Sequence, residues 1–350
     1  MPTDLGAIYT TGTSFRARAE AQARRWRSEH DLAPGRYGHL LTREDAEKGS
    51  NFATTAIFDA LRKRHNQGKD KGVGWERSTD NLLASQAMCF NLFAPMAAAR
   101  QEHLDATKIL QTCWPGIKDI TEIRLEYTPR TNPLGDQSAK AGVDADVRID
   151  FRHQDGRRGI LLIETKFVEP DFSHCGCRKP GRLHPCPEGT IVDARGSNCG
   201  YSTRKPKPYR YWEQSIRLSV VNMERIGSGP CPFGGGLWQP WLNYTLAKAL
   251  ADEESAVNPA DPVTHAWYAV VAPRANEALH QHVRPDVISA LGNLVHCPQD
   301  LSLVAVEDLI VAIGNVVAGQ SDHAKWFEFL KARYAYFDAV RPKMAKETVS

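Results

Sequence analysis

The sequence predicts an α/β protein with a mixed central sheet, helical additions at both ends and a Cys-rich insertion. Three observations predict it: helix-like apolar spacing before residue 100, strand-like alternation between Glu122 and Phe167, and helix-like spacing again near the C-terminal end. The central order is helix, three strands, helix, strand. We therefore divide the 350 residues into a helical N-terminal extension (1–80), a core (81–275) that includes the insertion (171–207), and a helical region (276–350) packed on the core.

Three helices are predicted ahead of the sheet. Ser14 can cap a basic helix that runs to about His30, and Asn51 to Arg64 spaces its apolar residues as one helix face does. The stretch from Asn81 to Ala98 is apolar around most of its circumference, although it carries Gln86. This third helix is therefore expected to be buried.

Alternating residues predict three consecutive strands. Glu122 to Tyr127 and Ala145 to Phe151 alternate apolar with polar side chains, and the adjacent Asp155 and Gly156 indicate a hairpin turn. Ile160 to Phe167 is apolar on both faces until Glu164, which indicates a central strand. The later elements are helices at Tyr209 to Met223 and Trp238 to Ala251, a strand at His265 to Val271, and a helical tail from Val306.

Charge and hydropathy narrow the classes of function. The formal net charge is only +3, so a nucleic-acid partner must be argued from local clustering. Between Arg178 and Arg217, Lys and Arg outnumber Asp and Glu nine to three and are interleaved with aromatic residues. A solvated loop would show the same composition.

No apolar run approaches the roughly 20 residues of a membrane span, and no secretory leader opens the sequence. These two observations predict a cytoplasmic protein without a membrane partner.

The main candidate site combines an acid on one strand with a Glu-Thr-Lys sequence on the next. Strand period places Glu164 and Lys166 on one face, and an antiparallel hairpin brings Asp146 opposite them. Two adjacent carboxylates repel each other unless a divalent cation lies between them, and oxygen ligands suit Mg²⁺ or Mn²⁺. Lys166 could then stabilise charge on a phosphate or position the attacking water. Asp144 and Asp150 share the parity of Asp146 but lie less favourably along the hairpin.

The residues Ala145-Asp146-Val147 and Ile163-Glu164-Thr165-Lys166 resemble the motif of the PD-(D/E)xK nuclease superfamily. Ser85 to Phe93 and Tyr211-Trp212 are similar to a group of restriction endonucleases in that superfamily, and the matches together span roughly residues 50 to 250. The motif's Pro is missing before Asp146, although that position is its most variable.

The resemblance implies a restriction-endonuclease-like core and a metal-dependent endonuclease of the restriction or defence type. Double-stranded DNA would be the partner, and the chain could act as a homodimer. Superfamily members also draw an extra acid or Gln from the first strand and the preceding helix, which makes Glu126 and Gln86 further candidates for the catalytic site. An exposed edge acid and a helix hydrogen bond are the plain alternatives for these two residues.

Four cysteines lie close together in the insertion, at Cys175, Cys177, Cys186 and Cys199. Four thiolates around Zn²⁺ would order a segment that lacks either hydrophobic period. The spacing is not that of two Cys-x-x-Cys pairs, so buried thiols without metal and disulfides stay open as alternatives. A loop held there could clamp the phosphate backbone beside the active site.

Three classes of function fit these patterns. The first is a catalytic nuclease. The second is a zinc-stabilised nucleic-acid-binding protein with an inactive nuclease-like fold, and the third is another enzyme that uses the same carboxylates and metal. The complete set of Asp146, Glu164 and Lys166 favours the first over the second. The sequence contains no Walker loop, no dinucleotide-binding glycine motif and no His-Glu-x-x-His, which weighs against the third.

Overall fold

A mixed five-stranded sheet lies at the centre of the protein. The computed structural model describes residues 4–9, 12–68, 73–99, 103–136, 143–178, 186, 198–203, 207–227, 229–280 and 286–336. In spatial order the strands are β1 (Ile117–Tyr127), β2 (Ala145–His153), β3 (Arg158–Thr165), β4 (Val263–Ala272) and β5 (Leu301–Ala305). The first three are antiparallel, whereas β4 lies parallel to β3 and β5 parallel to β4. This sheet with its flanking helices confirms the predicted α/β fold class.

The hairpin between β2 and β3 has the predicted register. Val147 pairs with Ile163 and Phe151 with Gly159, so the start of β2 lies beside the end of β3. The turn is closed by the backbone N–H of His153, which donates to the carbonyl of Arg157 at 2.8 Å. Gly156 lies in this turn with φ at +84°, a conformation that L side chains rarely adopt. The Asp-Gly turn signal was therefore a reliable guide to the pairing.

Helices pack against the sheet as two groups. The first group precedes and follows the strands in the chain: α1 (Ser14–Glu29), α2 (Arg43–Glu47), α3 (Thr55–Gln67), α4 (Trp75–Asp80), α5 (Ser85–Ala97), α6 (Ala106–Cys113), α11 (Val306–Val317) and α12 (Ser321–Tyr334). The second lies between β3 and β5: α7 (Tyr211–Arg217), α8 (Met223–Ile226), α9 (Trp238–Val257) and α10 (Val287–Gly292). Thr13, one residue before the predicted cap, accepts from the N–H of Arg16 and starts α1.

Two apolar clusters correspond to the two faces of the sheet. One contains Leu161 and Ile163 of β3 together with residues of α1, α3, α5, α11 and α12. The other contains Ile160 and Leu162 with residues of α7, α9 and α10. Because successive side chains of a strand point to opposite faces, β3 is buried on both sides, as its apolar run predicts. None of the helices in the described residues is long and apolar enough to span a membrane.

Candidate active site

The candidate site lies where β2 begins and β3 ends. Asp146 follows the first residue of β2, and its Oδ2 accepts two hydrogen bonds of 2.6 Å, from the backbone N–H and the hydroxyl of Thr165. Thr165 stands between Glu164 and Lys166, so the carboxylate of Asp146 is held against the Glu-Thr-Lys segment. The backbone N–H of Lys166 donates to the carbonyl of Val271 at 2.9 Å, which fixes this end of β3 to β4.

Glu164 and Lys166 form a buried ion pair. The ammonium of Lys166 lies 2.9 Å from Glu164 Oε1, and the two residues are only 9% and 5% exposed. Two residues of α9 complete the surroundings of the carboxylate: Gln239 donates to Oε1 at 2.7 Å and Asn243 donates to Oε2 at 3.1 Å. Both oxygens of Glu164 are therefore oriented by polar hydrogens, and its position is well defined.

The site contains more negative than positive charge. Burial, and next the Glu164 carboxylate, raise the pKa of Asp146 to about 8. The same two causes raise the pKa of Asp144 to about 6. Burial also raises the pKa of Glu126 well above its usual value, with Asp146 as the next cause. Lys166 alone does not balance these carboxylates, and such a surplus of oxygen donors fits a divalent cation of the Mg²⁺ type.

Glu126 and Gln86 meet at the side of this centre. Gln86 on α5 donates to Glu126 Oε1 at 2.6 Å and accepts from the N–H of Gly74 at 3.0 Å and from the hydroxyl of Ser78. Glu126 has a left-handed φ of +48°, which breaks the strand alternation at the end of β1. Arg64 holds this backbone by donating twice to the Glu126 carbonyl, at 3.0 and 2.6 Å. Such strain is typical of functional positions.

The structure thus brings Asp146, Glu164 and Lys166 together and places the Gln86–Glu126 pair within electrostatic reach of Asp146. Asp150, a competing candidate by parity, instead bonds Arg148 and Arg124. The motif did not point to Gln239 and Asn243. Their spacing of four residues in the predicted helix from Trp238 was the one available signal, because it puts two amides on one helix face.

The described cysteines of the insertion are packed among aromatic residues. Cys175, Cys177 and Cys199 are buried, and the N–H of Cys186 donates to the carbonyl of Cys177 at 2.8 Å. No disulfide joins the eight cysteines, all of which lie in the described residues. A hydrogen bond with Cys175, together with burial, raises the pKa of the Cys177 thiol. Within the described ranges, the metal-ligating side chains whose ligand atoms lie within 4.8 Å of one another are His153, Asp155 and His265, and the cysteines are not among them.

A zinc site at the cysteines therefore stays a prediction. Packing by Tyr201, which stacks on Tyr209 and Trp238 with centroids 5.3 and 5.0 Å apart, orders the visible part of the segment. Residues 179–185, 187–197 and 204–206 of the predicted Cys-rich basic insertion, with most of its Lys and Arg, lie outside the described residues.

Comparisons with known proteins agree with this arrangement. A family model described as the PD-(D/E)XK nuclease superfamily matches residues 10–181, which contain the first group of helices up to α6, strands β1 to β3 and all three motif residues. No curated protein and no solved structure matches the chain. The Asp–hairpin–Glu-x-Lys geometry lies in the matched residues, so residues 10–181 of the chain are similar to the PD-(D/E)XK nuclease superfamily in both sequence and site geometry.

Proposed function

We propose that this protein is a Mg²⁺- or Mn²⁺-dependent endonuclease that hydrolyses phosphodiester bonds of double-stranded DNA in a restriction or defence role. The observation that carries the proposal is the hydrogen-bonded convergence of Asp146, Glu164 and Lys166 at one end of the β2–β3 hairpin. The match of residues 10–181 to the nuclease superfamily supports phosphodiester hydrolysis and the use of a divalent metal ion.

The residues of the site have different roles in the proposed reaction. Asp146 and Glu164 supply the oxygen atoms that would hold the metal ion, while Gln239 and Asn243 orient Glu164. Lys166 presents a fixed positive charge to the phosphate. A bound Mg²⁺ would stabilise negative charge on the phosphate and lower the pKa of the attacking water. Glu126, supported by Gln86, adds a further carboxylate at the side of the site.

Cleavage of supercoiled plasmid tests the proposal most directly. Purified protein is incubated with Mg²⁺, Mn²⁺ or a chelator, and parallel reactions contain linear duplex, single-stranded DNA and RNA. We expect metal-dependent nicking or linearisation of duplex DNA that is lost in Asp146→Asn and Glu164→Gln. Asp308→Asn is the matched control. Asp308 forms an exposed ion pair with Arg274, so cleavage by this variant should equal that of the wild type.

Three results would count against all or part of the proposal. Metal-dependent cleavage that persists in both carboxylate variants would move the active site elsewhere. Tight binding of DNA by a well-folded protein without cleavage under any metal would favour the inactive binding protein instead. Preferential cleavage of RNA would keep the site and change the substrate.

A structural zinc ion at Cys175, Cys177, Cys186 and Cys199 is a separate proposal. Burial of Cys175, Cys177 and Cys199 and the hydrogen bond between Cys175 and Cys177 support it. Elemental analysis should find zinc that is lost in Cys186→Ser, and substitution with Co²⁺ should give a thiolate-to-metal charge-transfer band. We expect Cys186→Ser to weaken DNA binding while the carboxylate centre still binds Mg²⁺. Protein without zinc, or without the thiolate band, would remove the proposal.

A further inference from the structure

Three metal-ligating side chains meet at the end of the sheet opposite the candidate active site. His153 ends β2, Asp155 lies in the following turn, and His265 lies near the start of β4. Between Asp146 and His153 the strand rises about 23 Å, at roughly 3.3 Å per residue. The group is therefore distinct from the carboxylate centre.

The ligand atoms of the three residues converge. Asp155 Oδ1 lies 3.1 Å from His153 Nδ1, and Asp155 Oδ2 lies 2.9 Å from His265 Nε2. All three ligand atoms lie within 4.8 Å of one another. The two imidazole rings stack with centroids 3.8 Å apart and an interplanar angle of 23°. One ion could therefore contact both nitrogens and the carboxylate once the two imidazole rings rotate out of their stack.

Neighbouring groups hold this arrangement in place. The register between β3 and β4 shifts after Arg158, and this irregularity brings His265 opposite Gly159. The Asp155 carboxylate also accepts from the backbone N–H of Arg157 at 2.9 Å. Trp267 packs edge-on against both imidazoles, with centroid distances of 5.7 and 5.9 Å. The ligands are thus supported by backbone and by a large side chain.

Hydrogen bonding alone leaves a conflict at His153. The backbone N–H of Asp155 points at Nδ1 from 3.2 Å, which requires a lone pair there. The Asp155 carboxylate oxygen, 3.1 Å away, requires a proton or a cation at the same nitrogen. Protonating both histidines would stack two cations at 3.8 Å. A metal ion between Nδ1 and the carboxylate would take the Nδ1 lone pair in place of the Asp155 N–H. It would remove the repulsion between the two acceptors without a second stacked cation.

We propose that His153, Asp155 and His265 form a second metal site, which binds one divalent transition-metal ion of the Zn²⁺ class. Two imidazole nitrogens with one carboxylate suit Zn²⁺, whereas Mg²⁺ prefers oxygen atoms alone. The three side chains keep 23%, 39% and 22% of their surface exposed, so an ion can enter and solvent can complete its coordination. The bound ion would tie the β2–β3 turn to β4 and stabilise the fold, independently of the proposed nuclease activity.

Binding of Co²⁺ and Zn²⁺ to the full-length protein in saturating Mg²⁺ tests this site. His265→Gln removes one ligand, and His296→Gln is the matched control because His296 is exposed and lies outside the group. Relative to wild type, His265→Gln should bind one Co²⁺ fewer per chain. The absorption that is lost should be that of Co²⁺ with nitrogen and oxygen ligands, without the thiolate band. It should also bind Zn²⁺ more than about 100-fold more weakly, since even supporting residues cost 10- to 100-fold.

The thermal shift produced by Zn²⁺ should fall in His265→Gln and stay in His296→Gln. Unchanged stoichiometry and spectra in His265→Gln would overturn the proposal. If that variant fails to fold, Zn²⁺ should protect His153 and His265 of the wild-type protein from diethyl pyrocarbonate, as read by peptide mass mapping. Equal modification with and without Zn²⁺ would overturn it as well. Neither measurement requires cleavage. A failure of the second-site proposal is therefore separable from a failure of the nuclease proposal.

Discussion

Lys166 lies between two oxygen atoms, Glu164 Oε1 at 2.9 Å and Gln239 Oε1 at 3.1 Å. Burial is the largest single effect and lowers the pKa of this ammonium, but Glu164, Asp146 and Glu169 together outweigh it and the net pKa is raised. The lysine therefore keeps its proton at neutral pH. This favours a role in stabilising phosphate charge over a role as a general base.

Removing this charge should affect the chemical step more than metal binding. In Lys166→Met we expect single-turnover cleavage to fall by about 100-fold or more, with Mg²⁺ affinity by calorimetry close to that of wild type. Lys248→Met, which removes a lysine paired with Asp300, serves as the matched control. A parallel loss of metal affinity and cleavage in Lys166→Met would show that the lysine supports the ligands instead.

Mg²⁺ binding should depend on pH through Asp146. The pKa of this group is raised from 3.8 to about 8, so its neutral form is favoured in the metal-free protein. That contribution to stability is fully present below 3.8 and is lost as the pH rises through about 8. The cation needs the ionised form, so Mg²⁺ affinity should rise by about tenfold per pH unit up to about pH 8 and then level off.

Calorimetric titrations with Mg²⁺ at several pH values should show an affinity that rises with pH. Urea unfolding without metal should show a stability contribution that falls with pH. A Mg²⁺ affinity that is constant between about pH 6 and 8 would show that Asp146 is already ionised, and would contradict the expectation.

At the level of elements, α9 connects the candidate active site with the second group of helices. Gln239 and Asn243 are one helical turn apart, so both face Glu164 from the same side of the helix. Asn243 is 2% exposed, which leaves its amide little freedom to bond elsewhere. The helix therefore acts as a rigid support that orients Glu164 at the end of β3.

Gln239→Leu should reduce cleavage by about 10- to 100-fold, because Glu164 and Lys166 lose a shared partner while the fold stays intact. We expect weaker Mg²⁺ binding together with slower turnover, unlike the pattern for Lys166→Met. Gln320→Leu removes an exposed amide that donates to the carbonyl of Val316, and this control should behave as wild type. Wild-type Mg²⁺ affinity in Gln239→Leu would show that the helix does not position Glu164.

Some elements of the fold and site follow from local pattern, and others do not. The hairpin, its register and the meeting of Asp146 with Glu164 depend on two adjacent strands and an Asp-Gly turn, so alternation suffices. Gln239 lies 75 residues from Glu164, beyond a segment without hydrophobic period, and tertiary packing alone brings it there. In the proposed second site, His265 lies beside His153 only because the distant strand β4 pairs in parallel with β3, so this contact also depends on tertiary packing.

Two element boundaries have local physical causes. The helix predicted from Tyr209 to Met223 ends at Arg217, since Ser219 has a left-handed φ of +50°. Strand β5 was not predicted, because its five residues are followed directly by α11. Short strands that lead into a helix give no alternation of their own.

At the level of the whole molecule, the helices from the two ends of the chain share one apolar cluster. Trp26 of α1 packs edge-on against Phe329 of α12, with centroids 5.5 Å apart. Arg333 lies 4.5 Å from the Trp26 ring and donates to the carbonyl of Leu82 at 2.6 Å. Stability of the sheet layer is therefore coupled to residues at both ends of the described chain.

Trp326 is a direct test of this coupling. It is 2% exposed, and its indole N–H donates to the carbonyl of Asn91 on α5 at 2.7 Å. We expect Trp326→Ala to lower the free energy of unfolding by about 3 to 5 kcal/mol in urea titrations. Val311→Ala removes an exposed apolar side chain and should change it by less than about 0.5 kcal/mol. Similar losses in both variants would mean that α12 is not part of the cooperative unit.

The parallel pairing of β3 with β4 also sets an order of assembly. Arg158 and its partner Val263 lie more than a hundred residues apart, whereas β1, β2 and β3 follow one another within residues 117–165. Closing the long loop costs more entropy, so the meander of β1 to β3 can form before β4 joins it. During synthesis the apolar β3 emerges well before its neighbour exists. The nascent chain then exposes an unpaired apolar strand edge, which makes this stage of synthesis the most prone to aggregation.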